Sequence, residues 1–252
     1  MESDSSRICA KDDAPEPAEP GSARWWAQRT EAATRRRPRA GGLSTARIID
    51  AALEILREDG LGALTVRAVA DRLGTSSASL YRHIASREEL IALIVDHVLG
   101  DISLDSTGRG WHADVEALMR EMRRVMLEQP VPPSAARSSL TYGPNMLRLV
   151  DAALGLFLQA GLTDEQAART TITMIEFVGG SATIQRSALG RTPSGAVGSD
   201  GFDQLLDGLP ADRLPALRTA GAAFMTASVD DVFTHGMTVF LDGVANQLPA
   251  RE

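Results

Sequence analysis

Between Leu73 and Ile84 the chain reads Leu-Gly-Thr-Ser-Ser-Ala-Ser-Leu-Tyr-Arg-His-Ile, small hydroxyl residues followed by a phenol, a guanidinium and an imidazole. These groups donate to and accept from base edges and phosphate oxygens. A helix that opens with small polar residues, after a tight glycine turn and a short apolar helix, is built to lie in a DNA major groove. Arg67 stands two residues after Thr65 and Arg87 one after Ser86, both close enough in sequence to join the same surface.

The elements that must position these residues follow from apolar spacing. Ile49, Ala52, Leu53 and Leu56 recur at i, i+3, i+4 and i+7, predicting a helix over Thr45 to Glu58 with Ser44 as its N-cap and Gly60 as its stop. Val66, Val69, Ala70 and Leu73 predict a second helix from Thr65 to Leu73, and Gly74 supplies the turn. A third, Ser77 to His83, buries Leu80. Ser86-Arg-Glu-Glu89 reads as a capping box opening a fourth helix with Ile91, Ile94, Val95 and Val98 on one stripe.

After Gly100 the texture changes. Residues 101–110 form a polar connector, and helical patterns follow at 112–128, 144–160, 163–189, 211–221 and 228–247. Leu147, Val150, Leu154, Phe157 and Leu158 form the expected stripe of the second of these, and Phe233, Met237, Phe240, Leu241 and Val244 that of the last. Gly179-Gly-Ser-Ala182 costs its helix about 1 kcal/mol per glycine, to be offset by close helix approach, within the chain or between two copies of it. Gly190 to Gly208 is read as a mobile loop. No β alternation of useful length occurs, so the expected fold class is all-α. The expected division is an acidic disordered tail and basic arm over 1–42, a DNA-binding domain with linking helix over 43–100, and a regulatory and dimerisation domain over 101–252.

The net charge of −7 hides an asymmetry. Residues 1–23 carry 2 basic and 6 acidic side chains, residues 24–100 carry 12 and 9, and residues 101–252 carry 12 and 18. The positive segment coincides with the helix-turn-helix pattern and includes Arg35-Arg36-Arg37-Pro38-Arg39. This run either enters a minor groove or adds salt-dependent affinity as a flexible tail. Trp25-Trp26 lies just before it, in a tail or partly ordered arm, where the preferred role of the pair is a small hydrophobic contact with the domain or with a neighbouring molecule. The single cysteine, Cys9, allows no internal disulfide. Neither a membrane span nor a signal-peptide pattern is present, and the expected location is the cytoplasm.

The run Ile48-Ile-Asp-Ala-Ala-Leu, Gly60, Leu64-Thr-Val-Arg-Ala-Val-Ala-Asp-Arg-Leu-Gly74, Leu80-Tyr-Arg-His-Ile, Ser86-Arg-Glu-Glu-Leu-Ile resembles the DNA-binding domain of TetR-family transcriptional regulators. Leu214-Pro-Ala-Leu217, Asp231-Val-Phe-Thr-His-Gly-Met237 and Leu241-Asp-Gly-Val244 resemble the regulatory domain of the tetracycline-repressor branch, as does the basic run before Thr45. The resemblance implies a homodimer whose first three predicted helices bind an operator. The fourth links them to the second domain, and the last long helices form an intersubunit four-helix bundle. It also implies a small-molecule pocket in each second domain, from which an inducer moves the linking helix and releases the DNA.

On the resemblance, Arg67 reaches a guanine edge, where a guanidinium bonds both O6 and N7; a solvated or phosphate-bound arginine is the alternative. Ser77 and Ala78 fall at base-reading positions, beside Ser79 and Arg82, and one hydroxyl of Ser76, Ser77 and Ser79 caps the helix. Tyr81 and His83 match phosphate contacts, with a helix cap as the other role for His83. Arg87 takes the place of a phosphate-gripping lysine. Trp111, His112, Met122, Tyr142, Asn145, Met146, Met174, Phe177 and Gln185 are the candidate ligand-pocket residues, each also explicable as ordinary packing. The histidine and glutamate that surround magnesium in tetracycline-type pockets have no counterpart that can be placed, so neither a metal nor another cofactor is expected.

A helical enzyme is disfavoured, since there is no nucleophile elbow, phosphate loop, paired-carboxylate motif or metal-ligand spacing. Two readings of the second half stay open: a pocket for a small effector, or a surface for dimerisation and partner contacts alone.

Overall fold

The computed structural model describes residues 18–35, 43–130, 142–189, 199–210 and 212–249. Cys9, the arginines at 36–39 and most of the acidic tail lie outside them, so the expectations for those residues are untouched. Eleven α-helices occur among the described residues, with no strand. They are α1 (Ala23–Arg35), α2 (Thr45–Glu58), α3 (Val66–Arg72), α4 (Ser77–Tyr81), α5 (Arg87–Leu99), α6 (Trp111–Glu128), α7 (Pro144–Ala160), α8 (Asp164–Leu189), α9 (Ser199–Asp207), α10 (Pro215–Thr226) and α11 (Val229–Ala245).

Local chemistry sets the helix starts in the first half. The hydroxyls of Ser44, Thr65, Ser76 and Ser86 accept from the backbone N–H groups of Arg47, Ala68, Ser79 and Glu89, each satisfying a donor the helix itself leaves open. Between α3 and α4 the chain reverses at Gly74, whose φ of 62° is strained for a residue bearing Cβ. Leu80 and Ile84, both fully buried, hold α4 and the turn after it in the core, where α4 packs on α3.

α5 departs from the expected single stripe. Leu90, Ile91, Ala92, Leu93, Ile94, Val95, Val98 and Leu99 are all buried, because α5 packs against α2 on one side and against α6 and α7 on the other. One apolar cluster therefore runs from Ile48 to Val244 through both halves of the chain. In α7 the buried face is Leu149, Ala153 and Phe157, whereas Leu147 and Leu158 of the expected stripe are exposed.

The stretch read as a tail or partly ordered arm is helical over Ala23–Arg35, and Trp25 and Trp26, edge-to-face, make the hydrophobic contact with the core that is the preferred role for them. The supposed loop from Gly190 to Gly208 contains α9 over Ser199–Asp207. The expectation for the glycines of α8 is left open by the protomer: a Cβ built at Gly180 would meet no atom within 4 Å, and one at Gly179 would meet only Met126 Cε at 3.8 Å.

At the joint between the halves, Asp96 of α5 is 3% exposed and accepts from the backbone N–H groups of Asn145 and Met146 and from Asn145 Nδ2. It thus caps the N-terminus of α7 from a distant helix. Burial pushes its carboxyl above the usual aspartate range, against the pull of those hydrogen bonds. A raised folded-state pKa means that the native state holds the proton more tightly than the unfolded chain. That contribution to stability is complete below the unfolded value and is lost as pH rises through the folded one. Asp96→Asn abolishes this titration. In denaturant melts at pH 7 and pH 5, wild type should gain on the variant at the lower pH; a pH-independent difference contradicts the assignment.

Candidate nucleic-acid interface

The exposed surface of α3 and α4 gathers most of the side chains expected to meet DNA. Ala78, Tyr81 and Arg82 are exposed along α4 and its C-terminal end, with Ser77, Ser79 and His83 partly exposed between them. Tyr81 is 55% exposed, a large outlay of aromatic surface on a domain that could have buried it. Ser76 Oγ accepts from Ser79 N at 3.2 Å and so provides the cap expected of one of the serines.

Arg82 is held before any partner arrives. Its Nη2 donates to Ser79 Oγ at 2.9 Å, one turn back along α4. Arg67 projects from α3 with 86% of its side chain exposed, and its nearest carboxylate, Asp71, stands at 4.0 Å. So open an ion pair contributes little and leaves the guanidinium available.

Arg87 does more than the sequence reading expected. Its Nε donates to Leu64 O at 2.8 Å and its Nη2 to Leu61 O at 2.9 Å, so two of its five N–H groups tie the start of α5 to the turn between α2 and α3. Nothing in the local sequence signals carbonyl partners more than twenty residues away. Arg87→Ala should lower stability by about 2 kcal/mol through the lost charged hydrogen bonds. Thermal melts should show a fall, and an unchanged melting temperature would contradict the anchoring role. A shallower salt slope of DNA binding in the same variant would add the phosphate contact to it.

Of the expected ligand-pocket residues, Phe177 and Gln185 meet around Arg123 and Phe233, and the others are spread through the second half. Met122 and Met174 are sealed in the core at 2% and 0% exposure, and Phe177 stacks on Phe233 with centroids 5.5 Å apart. Trp111 and His112 form an edge-to-face pair, Met146 packs on the core, and Tyr142 is exposed. Asn145 serves Asp96, and Gln185 accepts from Arg123. A cleft of about 300 Å³ lies between the connector, α6 and α7, floored by Leu104, Leu118 and Leu156 and rimmed by Asp105, Asp114 and Glu121. A second, of about 330 Å³, is lined by Trp26, Ile49, Leu93, Asp96 and Asn145. Only Asn145 among the expected residues lines either cleft. Among the described residues, no group of three His, Cys, Asp or Glu side chains could hold a metal, and no helix is long and apolar enough to cross a membrane.

A short helix capped by serine, exposed along its reading face and followed by a buried linking helix, defines a helix-turn-helix regulator. Residues 48–94 match the family model described as bacterial regulatory proteins of the tetR family, and residues 104–248 match the tetracyclin repressor-like C-terminal domain. The chain belongs to the TetR family, whose members are transcriptional regulators and not enzymes.

Among curated relatives, an HTH-type transcriptional regulator of Saccharopolyspora erythraea is 31% identical over 144 residues, 57% of this chain and 61% of the relative. The HTH-type transcriptional repressor DrrR1 of Streptomyces coeruleorubidus is 32% identical over 157 residues, 60% of this chain and 58% of its own. The chain therefore spans about three fifths of the length of these relatives. Apo ActR from Streptomyces coelicolor superposes with a TM-score of 0.73 at 30% identity, over 83% of this chain and 98% of ActR. ActR in complex with actinorhodin gives 0.73 at 30% identity, over 82% and 99%.

Proposed function

We propose that this protein is a homodimeric repressor that holds a pseudo-palindromic operator and releases it when a small molecule binds its C-terminal domain. The observation that carries the reading is the open face of α4, where Arg82 is preset by Ser79 and Tyr81 stands exposed, with Arg67 on the helix before it. Arg67, Ser77, Ala78, Ser79 and Arg82 read bases, and Ser76, Tyr81 and His83 hold phosphates. The DNA-binding head comprises residues 43–100, and residues 101–252 regulate and dimerise. A chain with this role works in the cytoplasm, where the operator is.

Dimerisation is supported by what the protomer leaves uncovered. Ile172, Gly180 and Ile184 fall on one exposed face of α8, and Val232 and Val239 on one of α11. A second copy covers both in a four-helix bundle, and Gly180 then has the close neighbour that it lacks within one chain.

The effector half of the proposal is supported by ActR, which has been solved with actinorhodin bound. A second reading confines the C-terminal domain to dimerisation and partner contacts; the sealed positions of Met119, Met122 and Met174 favour it. A thermal-shift screen of small aromatic and polycyclic compounds, followed by mobility shifts at fixed salt, separates the two. A compound that raises the melting temperature and frees the DNA supports the repressor–effector reading. Compounds that leave both unchanged support the second.

A further inference from the structure

We propose that α1 is a brace between the DNA-reading head and the regulatory half, and that it fixes the separation of the two reading helices in the dimer. The inference rests on the DNA-binding dimer proposed above. Its observation is that the segment from Gly21 to Arg29 is fastened at both ends, to different halves of the molecule.

At one end, the carbonyl of Gly21 accepts from the backbone N–H of Tyr142 at 3.1 Å, two residues before α7 begins. At the other, Arg29 forms an ion pair with Glu89 of α5, with side-chain exposures of 22% and 9%. Its Nη2 is directed at the His83 carbonyl, just past the end of α4, at 3.4 Å and at Thr45 Oγ1 of α2 at 3.5 Å. The ring of Trp25 lies 5.4 Å from the guanidinium carbon on the same helix. Glu89 is itself a junction, because its second oxygen accepts from Ala85 N at 2.7 Å in the turn joining α4 to α5. One guanidinium thus gathers three elements of the head.

Between the two ends, Trp25 and Trp26 pack on the core, and Trp26 shares a cleft with Ile49 and Leu93 of the head and Asn145 of α7. Two packed helical turns are stiff, so rotating the head relative to α7 must break the Gly21–Tyr142 bond, the Arg29–Glu89 pair or the tryptophan contact. Breaking the pair leaves Glu89 buried without its counter-charge, which makes that end the more costly to release. The joint is therefore held by α5 and α1 together.

The consequence is read in operator spacing. Adding one base pair between half-sites turns one half-site by about 34° relative to the other, and a braced dimer cannot follow. An operator selected on the full chain, and versions with one or two base pairs added at its centre, would be titrated with wild type, Arg29→Ala and Arg29→Lys. Wild type should lose about tenfold or more per added base pair, the scale of a mismatched contact. Arg29→Ala should lose about threefold or less on insertion, at some cost to its affinity for the original spacing.

Arg29→Lys keeps the charge opposite Glu89 but not the second nitrogen, and should fall between the two. Circular dichroism checks folding; should Arg29→Ala not fold, the lysine variant decides. Folded variants that discriminate spacing as wild type does overturn the brace. Wild type that selects no duplex overturns the DNA-binding reading itself, and the brace with it.

Discussion

Gly143→Ala should lower the melting temperature by about 5–15 °C, the shift for a loss of roughly 2–4 kcal/mol in a chain of this size. A Cβ at this position would stand 2.1 Å from Asp96 Oδ1 and 2.3 Å from its Cγ. The obstacle is the carboxylate that caps α7, so relieving the overlap displaces a group that is itself hydrogen-bonded. Asp96 must swing away, and it then leaves the N–H groups of Asn145 and Met146 without their acceptor and a carboxyl buried without donors. The damage falls where the halves of the chain meet. Differential scanning calorimetry of the full chain measures it. A shift under 2 °C would show that the joint yields cheaply and that Asp96 does not fasten it.

The second large effect concerns DNA. Arg67→Ala and Arg82→Ala should each weaken binding to a selected operator about 10- to 100-fold, the scale of a lost bidentate base contact. The two residues stand on different helices with different hydrogen-bonding neighbours, so the double variant should approach the product of the two losses. Each variant should also relax base preference at its own position, whereas Tyr81→Phe should weaken binding evenly across sequences. Titrations at one stated salt concentration, against the operator and its single-base variants, check this. Losses that are uniform over all sequences would move both arginines from base edges to phosphates.

The helix-turn-helix was legible because its determinants are local. Ser44, Thr65, Ser76 and Ser86 cap helices three residues away, and the apolar spacing of Ile49 to Leu56 needs no knowledge of the rest of the chain. What was lost depended on distant partners. Arg87 looks like a surface arginine at the start of a helix until the carbonyls of Leu61 and Leu64 arrive beside it. α5 reads as one stripe, and it is buried on both sides because two halves of the molecule close on it.

Some of the missed features did leave a trace. Asp96 interrupts an apolar run, Leu93-Ile-Val-Asp-His-Val98, and a carboxylate in such a run needs donors from elsewhere. Trp25 and Trp26 did signal a contact, and Arg29 on the same helical face was the part of that docked helix left unread. The ligand-pocket residues were the least legible. A methionine at helical spacing fills a core or lines a cavity with equal ease, and Met122 and Met174 fill the core.

The central claim is that α4 carries the chain into the major groove as one half of a symmetric reader. Selection from random duplexes, followed by hydroxyl-radical footprinting of the full chain on the enriched sequence, tests it most directly. The account predicts two protected half-sites related by a two-fold axis, their centres about 34–36 Å or a multiple of that apart along the duplex. No enriched sequence, or protection of a single half-site by one copy of the chain, would contradict it.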